Sequence, residues 1–457
     1  MAELIPENVG KGQHRGDVES TVMIARQDER TSASLRVSFL WTLAGNVLYA
    51  ACQWGILITI AKLGTPVMVG QYAMGLAISA PILMLTNLQL RQIQATDAED
   101  RFAFCDYLGL RVLATTLAAL AIPLVAVASG LARGTTLVVM TVGWAKCIEA
   151  LSDALYGHLQ KLERMDQIAR SMMVKGIVSL SIVTLLVIWN GTILVSTIGL
   201  GLAWAAVLLG YDIRCVRRSM REGLACKGTE RTREREGIHA RDATRMMPRI
   251  RRDRLIPLLA ISLPMGGAMM LLALSNNIPR YLIERSMGER WVGYFTTLAY
   301  PGLAIGMLVG ALGQSATPGL ARAFKSDPSG FRHRILRLIA LPVVVTIISV
   351  AGAVVCGEPL LSTIYKPEYA RYGNIFVVLT LGAGIWSCES IVGYAATASQ
   401  RFREQVYVTA VVAGIALGSG WYLVPRFGLM GAAEVTVISA LVATVLYTIL
   451  VVRAVHK

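Results

Sequence analysis

The chain has 457 residues, of which 54% are hydrophobic and only 16% are charged, and its mean hydropathy is +0.56. A soluble protein of this length cannot bury so much apolar surface and still cover itself with charged groups. The composition therefore excludes a secreted disulfide scaffold, a disordered chain and an ordinary soluble enzyme. The apolar residues fall into runs of about 20, the length that crosses a hydrocarbon core of about 30 Å.

These runs predict an all-α polytopic membrane protein with about 12 transmembrane helices. In chain order the predicted spans are 37–61, 68–90, 107–131, 134–157, 171–190, 194–213, 255–277, 291–315, 335–357, 372–396, 405–424 and 430–452. The connections between them are short, and basic residues are concentrated in alternate connections.

The basic residues indicate the orientation in the membrane. Of the 44 Lys and Arg, 35 fall in tails and connections on one side, with Arg111 and Lys175 counted among them, and 8 fall on the other side. Because basic loops stay in the cytoplasm, both termini are predicted to be cytoplasmic. Residues 1–36 lack the apolar core of a cleavable signal peptide and are interpreted as a polar cytoplasmic tail. The net charge of +15 then reflects membrane topology, and no nucleic-acid partner is expected.

One long polar connection divides the spans six and six. Residues 214–254 contain 14 Lys and Arg and 6 Asp and Glu. The predicted domains are therefore the tail 1–36, an N-terminal six-helix lobe 37–213, this basic linker and a C-terminal six-helix lobe 255–457. The segment either links two lobes that move against each other or anchors the chain on anionic lipid, at about 1 kcal/mol per basic residue near the surface.

A short internal repeat supports the division into halves. Val69-Gly-Gln-Tyr opens the second span, and Val292-Gly-Tyr-Phe opens the eighth span 223 residues later. The two spans run in the same direction, so the halves are predicted to form a parallel repeat with the substrate path between them. Pro81, Pro264 and Pro301 interrupt the second, seventh and eighth spans, where each makes either a hinge or a static kink.

Five segments, in chain order, resemble the polysaccharide-biosynthesis branch of the multidrug/oligosaccharidyl-lipid/polysaccharide exporter superfamily, the O-antigen-type flippases. The segments are 69–97, 149–176, 276–301, 364–370 and the Gly428-Leu-Met-Gly-Ala motif. The resemblance implies two six-helix lobes around a central cavity, and translocation of an isoprenoid-diphosphate-linked glycan to the outer leaflet. Central arginines, which some relatives use to hold the diphosphate, are absent from the first span, which offers Asn46 and Gln53 instead.

The fourth span carries three ionisable residues on one helical face. Lys146, Glu149 and Asp153 are spaced by three and four residues, and Gly157 and Gln160 continue the stripe. Ionisable groups at membrane depth are costly and face a partner or a cavity. The stripe either joins helices of the N-terminal lobe through a Lys146–Glu149 pair, or lines a cavity with Asp153 as a proton carrier.

Glu389, in the tenth predicted span, has no basic residue within four positions along the helix. A carboxyl group at this depth is either hydrogen-bonded to a neighbouring helix or a titrating site that couples transport to an ion.

The end of the seventh span is polar. Asn276, Asn277 and Arg280 are candidate substrate-binding residues, because a guanidinium matches phosphate oxygens. Arg280 is interpreted either as an outer attractor for the lipid diphosphate, or as an interfacial anchor or partner of Glu284. Arg91, at the inner end of the second span, is the matching candidate for the cytoplasmic entrance.

The favoured function is a flippase of the bacterial cytoplasmic membrane that carries a lipid-linked glycan for cell-surface polysaccharide or lipopolysaccharide synthesis. Expected partners are the lipid-linked glycan, membrane lipids and glycan-assembly proteins. No metal or other cofactor is expected, and protons, sodium or the membrane potential are candidate driving forces. The alternative is a multidrug or cation antiporter of the same fold. An enzyme is not expected, because the longest outer loop, 358–371, has only about 14 residues.

Overall fold

The computed structural model describes residues 37–455 except positions 39, 98, 100, 228–246 and 327. Within these residues every regular element is helical. In chain order they are α1 Leu40–Leu63, α2 Pro66–Asn87, α3 Leu90–Thr96, α4 Phe104–Ala128, α5 Arg133–Lys161, α6 Met165–Asn190, α7 Ile193–Val207, a π-helical segment Leu208–Asp212, α8 Ile213–Lys227, α9 Arg252–Met287, α10 Glu289–Ser326, α11 Pro328–Ile364, α12 Pro367–Ala370, α13 Gly373–Ala398 and α14 Phe402–Val455.

The helix α14 contains two membrane crossings. Its 54 residues correspond to about 80 Å of helix at 1.5 Å per residue, more than twice the hydrocarbon thickness. Gly428 breaks it with φ 58° and ψ −130°, a conformation that side chains with a Cβ rarely adopt. A Cβ at Gly431 would lie 2.3 Å from the Leu423 carbonyl oxygen, so the turn is closely packed. The eleventh and twelfth predicted spans are the two halves of α14.

The lengths and surfaces of the helices identify a multi-pass membrane protein. Nine helices in the described part of the chain are long and apolar enough to cross a membrane, with α14 counted once. The second half of α14 and the long helices α5 and α10 bring the crossing segments to the predicted twelve. Leu117, Leu120 and Leu124, on one face of α4, are 62, 69 and 71% exposed. An apolar face of this kind is stable against lipid and unfavourable in water.

The helices form two lobes that meet along α2. The N-lobe comprises α1–α8, and the C-lobe comprises α9–α14. α2 packs against α5 and α4 within the N-lobe and against α9 and α10 of the C-lobe, and α9 also contacts α4. The domain boundaries within 214–254 stay a prediction, because 228–246 lies outside the described residues.

The lobes approach most closely where the sequence repeat predicts equivalent positions. A Cβ on Gly70 would lie 1.8 Å from the Glu289 carbonyl oxygen, and a Cβ on Gly293 would lie 1.9 Å from the Pro66 carbonyl oxygen. Each residue of α2 in this crossing has its counterpart 223 positions later in α10. The contact is therefore reciprocal, as expected at the axis of a parallel two-fold repeat.

Polar side chains join the lobes at the same end, here called the outer end, opposite residues 37 and 455. Lys62 Nζ donates to the Thr363 carbonyl at 3.0 Å, and Lys366 Nζ donates to the Gly64 carbonyl at 2.5 Å. Each lysine thus bonds a carbonyl at the C-terminal end of a helix in the other lobe, where the helix dipole favours a cation. The lobes are closed against each other at this end.

Nearby aromatic residues close the outer end further. Trp54 Nε1 donates to the Tyr365 hydroxyl at 3.1 Å across the two lobes. Tyr294 of α10 contacts the rings of Tyr369 and Tyr372, with centroids 5.1 and 4.9 Å apart. The amphipathic rings suit the membrane interface, where one end of a side chain is apolar and the other is wet.

The helices run through the prolines that the sequence analysis singled out. α2, α9 and α10 remain helical at Pro81, Pro264 and Pro301. Their function as hinges stays a prediction.

The glycine crossing generates a prediction about stability. Gly70→Ala places a methyl group against the α10 backbone, so α2 and α10 must separate, at a cost of about 1–3 kcal/mol. We expect a lower thermal unfolding temperature for the purified protein in detergent, and a similar loss for Gly293→Ala. Gly414→Ala is the control, since nothing lies within 4 Å of a Cβ there. Equal unfolding temperatures for Gly70→Ala and Gly414→Ala would contradict the close crossing.

Candidate functional site in the two lobe interiors

One face of α5 carries the charged residues of the N-lobe. Lys146, Glu149, Asp153, Tyr156 and Gln160 recur every three or four residues, so they form a single stripe. α2, α4, α6 and α7 pack around this helix. The stripe therefore faces protein along most of its length, and its polar groups find partners on the surrounding helices.

The first part of the stripe is an ion pair. Lys146 Nζ lies 2.8 Å from Glu149 Oε2, and the Tyr49 hydroxyl of α1 donates to Glu149 Oε1. Lys146 Nζ also lies 4.8 Å from the ring centroid of Trp204. The Lys146 and Glu149 side chains keep 24 and 28% of their surface exposed, so the pair is held by the lobe without being sealed in it.

Asp153 lies between two arginines. Arg91 Nη1 is 3.1 Å from Asp153 Oδ1, and Arg111 Nη2 is 3.4 Å from Asp153 Oδ2. Arg111 is completely buried and also donates to Asn87 Oδ1 at 2.5 Å. Arg91 donates from Nε to Gln160 Oε1 at 2.9 Å. Asp153, the candidate proton carrier, is thus the acceptor of two guanidinium groups.

A second buried pair supports the stripe from α6. Lys175 Nζ lies 3.5 Å from Asp212 Oδ2, and the two side chains are 2 and 1% exposed. Lys175 also donates to the Tyr156 hydroxyl at 3.0 Å, and Ser171 donates to Asp212 Oδ1. These contacts join the π-helical segment to the stripe of α5.

The ionised side chains joined by these four ion pairs are named here the α5 network. Their positive and negative charges are unequal in number. The cationic members are Arg91, Arg111, Lys146 and Lys175, and the acidic members are Glu149, Asp153 and Asp212. The network therefore carries one positive charge in excess when all its members are ionised.

Sequence reasoning missed three members of this network and the role of Tyr49. Arg111 and Lys175 were assigned to cytoplasmic connections, which is wrong, because both side chains are buried within helices and paired with acids of other helices. Asp212 was not considered. Arg111 and Lys175 both lie inside predicted spans, which was the available signal. Their acidic partners, Asp153 and Asp212, lie 42 and 37 residues away in sequence.

The first-span candidates lie on the same helical face as Tyr49. Asn46 and Gln53 are three residues before it and four residues after it. Asn46 is exposed, and Gln53 Nε2 is buried without a hydrogen-bond partner among the described residues. This polar face of α1 meets the stripe of α5 through the hydrogen bond from Tyr49 to Glu149.

The C-lobe contains a cavity of about 250 Å³ between α9, α10, α13 and α14. Arg280, Asn276 and Glu389, three of the candidates from the sequence, all line it. Arg280 Nη1 donates to the Asn276 carbonyl at 3.3 Å and to Asn277 Oδ1 at 3.1 Å, and Nε donates to Thr296 Oγ1 at 3.3 Å. The structure therefore brings together residues from the seventh and tenth spans.

Arg280 has no carboxylate partner among the residues that the structure describes. Its bonds go to carbonyl, amide and hydroxyl oxygens, and its guanidinium lies 5.9 Å from the Phe295 ring centroid. The alternative pairing with Glu284 is not observed. Asn277 is turned towards its own helix, since its amide donates to the Ala273 carbonyl at 2.8 Å.

The ion pair of α5 generates a second prediction. Glu149→Ala leaves the Lys146 ammonium without its carboxylate at membrane depth. The cost is below the figure of about 3–5 kcal/mol for a fully buried pair, because both side chains keep about a quarter of their surface exposed. We expect a clear drop in thermal stability and membrane yield. Lys146→Met combined with Glu149→Leu should recover most of the lost thermal stability and membrane yield, because no unpaired charge remains.

The matched control is the exposed pair of Arg170 and Asp166, which are 57 and 40% exposed and 4.0 Å apart. Asp166→Ala should change stability by less than about 1 kcal/mol. A double variant less stable than Glu149→Ala would contradict the pairing argument.

No family model matches the chain. The capsular polysaccharide biosynthesis protein CapF of Staphylococcus aureus is 23% identical over 416 residues, covering 90% of this chain and 97% of that protein. Among solved structures, the lipid II flippase MurJ in an inward closed conformation superposes with a TM-score of 0.66 at 12% identity, over 92% of this chain and 89% of MurJ. An inward-facing multidrug resistance MATE family transporter superposes with a TM-score of 0.59 at 12% identity, over 91% of this chain and 95% of the transporter. The superpositions on MurJ and on the MATE transporter, each at 12% identity, show that the chain has the fold that these two proteins share.

Proposed function

We propose that the protein is a flippase that moves an isoprenoid-diphosphate-linked oligosaccharide from the inner to the outer leaflet by alternating access. The observation that carries the proposal is the excess of positive charge in the α5 network, at membrane depth between helices of a transporter fold. A positive interior attracts an anionic headgroup and repels cationic compounds. The oligosaccharide would cross in a polar path while the isoprenoid chain stays in lipid.

Arg91 is the proposed first contact of the diphosphate. Its side chain is 31% exposed at the inner end of the network, and its fork of N–H donors matches phosphate oxygens. Asp153 and Gln160 hold the guanidinium in place before the substrate arrives. Arg111 also pairs with Asp153, so the carboxylate keeps a partner when Arg91 turns to phosphate.

The closed outer end fits the loading step of this cycle. With the lobes tied at Lys62, Lys366 and the glycine crossing, access from the outer leaflet is blocked. Release would require these contacts to break. Outward movement of a negative headgroup is favoured by an inside-negative potential, by about 2.3 kcal/mol per charge per 100 mV. Coupling to protons or sodium stays a prediction.

The relatives support this substrate class by their names, one being a capsular polysaccharide biosynthesis protein and another a lipid II flippase. A location in the bacterial cytoplasmic membrane, with both termini inside and contacts to glycan-assembly proteins, belongs to the same proposal.

A multidrug or cation antiporter is the second candidate. Glu389 in the C-lobe cavity has no cationic partner among the described residues, and MATE transporters share the fold. Arg280 in the same cavity disfavours a cation there. Deletion of an antiporter would raise sensitivity to cationic drugs and leave surface glycan intact.

Deletion of the gene tests the flippase. We expect the lipid-linked oligosaccharide to accumulate on the cytoplasmic leaflet, where a membrane-impermeant glycosidase reaches it in inverted vesicles but not in spheroplasts. Complementation with the wild-type chain should restore export. Normal export after deletion would contradict the proposal.

The proposed contact between Arg91 and the diphosphate generates a further prediction about export. Arg91→Gln should lower export at least tenfold, and Arg91→Lys should lower it less but clearly, because an ammonium lacks the bidentate geometry. Arg101→Gln is the control, since Arg101 is 66% exposed and pairs with Glu99 in the neighbouring loop. Protein levels and unfolding temperatures must match the wild type. An unchanged export rate in Arg91→Gln would remove Arg91 from the substrate path.

A further inference from the structure

The C-lobe cavity is lined by polar groups that are only partly used in hydrogen bonds within the described residues. Unpaired polar atoms also occur in the N-lobe, where each ionised side chain of the α5 network lies within 3.5 Å of an oppositely charged partner but Arg111 Nε and Asp212 Oδ2 have no hydrogen-bond partner among the described residues. Among the described residues that line the cavity, the Ser439 hydroxyl is buried without a hydrogen-bond partner, Glu389 forms no ion pair, and the Arg280 bonds given above use Nε and Nη1 but not Nη2. Unpaired polar groups in an interior are costly, and a set of them around one cavity points to a ligand.

The aromatic residues of the cavity indicate the shape of this ligand. Trp386 and Phe295 line the same space as Arg280 and Glu389. The Trp386 ring packs directly on the α10 backbone, since a Cβ at Gly306 would lie 2.5 Å from a ring carbon. An indole fixed in this way offers a flat apolar wall. Polar groups at the edges of such a wall suit a flat ligand with polar substituents around its rim.

The polar groups and the volume of the C-lobe cavity restrict the kind of ligand that it can hold. Arg280 supplies N–H donors and the Glu389 carboxyl group supplies acceptor oxygens, so the cavity favours a group that both donates and accepts hydrogen bonds over a diphosphate or a cationic drug. Its volume of about 250 Å³ is below the range of about 300–1,000 Å³ for pockets of drug-sized ligands. A pyranose ring meets all of these conditions, because its hydroxyls donate and accept and its C–H face stacks on indole.

We propose that the C-lobe cavity is a monosaccharide subsite that holds one sugar unit of the transported glycan, an assignment that rests on the proposed flippase function. Trp386 stacks on the ring, Glu389 accepts from ring hydroxyls, and Arg280 and Asn276 donate to ring oxygens. Arg280 then recognises sugar and leaves the diphosphate to the α5 network. The subsite makes transport depend on the identity of the sugar.

Saturation-transfer NMR on the purified full chain in detergent tests this subsite. The probes are the monosaccharides released by acid hydrolysis of the producing cell's total surface polysaccharide, and separately inorganic pyrophosphate. We expect saturation transfer to at least one sugar, weakened at least fivefold in Trp386→Leu, Glu389→Gln and Arg280→Lys. Pyrophosphate should not compete with that sugar.

The controls are Trp421→Leu and Arg285→Lys, a tryptophan and an arginine that contact each other outside the cavity, with 5.5 Å between guanidinium carbon and ring centroid. Both should bind sugar like the wild type. Unfolding temperatures of all variants identify any that fail to fold, and Glu389→Gln, which keeps the side-chain volume, serves if Trp386→Leu does not fold.

Three results would overturn the subsite: no sugar signal, equal signals in cavity and control variants, or competition by pyrophosphate that depends on Arg280. The export assay in the deletion strain separates this failure from failure of the proposed function. If the wild-type chain restores export but binds no sugar, only the subsite proposal is wrong. If the chain binds sugar but the deletion strain exports normally, the flippase proposal is wrong and the chain is a sugar-binding protein.

Discussion

Charged side chains at membrane depth must find partners inside the protein, and the N-lobe is organised around this constraint. α5 presents Lys146 and Glu149, which pair with each other, and Asp153, whose two arginine partners come from α3 and α4. Because an unpaired charge in hydrocarbon costs several kcal/mol, the ion pair of Arg111 with Asp153 holds α4 against α5. Lys175 of α6 pairs with Asp212 of the π-helical segment and donates to Tyr156 of α5. The same pairing leaves one cationic charge in excess, which connects the packing of the lobe to the sign of its proposed substrate.

The interior of the C-lobe contains fewer charged side chains than the α5 network. Its cavity holds Arg280 and Glu389 without pairing either with an opposite charge among the described residues, and an aromatic wall lies beside them. Under the two proposals above, the N-lobe network binds the charged end of the substrate and the C-lobe cavity binds a neutral, hydroxyl-rich part.

Much of the fold was predictable because each crossing is recorded locally in the chain. Apolar runs of about 20 residues determine the spans, and the Val69 and Val292 repeats mark equivalent positions that meet as Gly70 and Gly293. The stripe on α5 was equally predictable, since helical periodicity places Lys146 and Glu149 on one face. The assignment of Arg111 and Lys175 to cytoplasmic connections failed, because burial of a basic residue near a span end depends on a partner elsewhere in the chain.

The sequence alone determined the number of crossings, the parallel repeat and the ionisable stripe on α5, because these follow from hydropathy and helix geometry. Only the tertiary structure decided which charges neutralise each other. Asp153 has two arginine partners, from α3 and α4, and Lys175 is paired with Asp212, across separations of about 40 to 60 residues. It also decided that Arg280 and Glu389, 109 positions apart, share one cavity. No local pattern encodes such contacts, since they arise from the packing of helices that are distant in the chain.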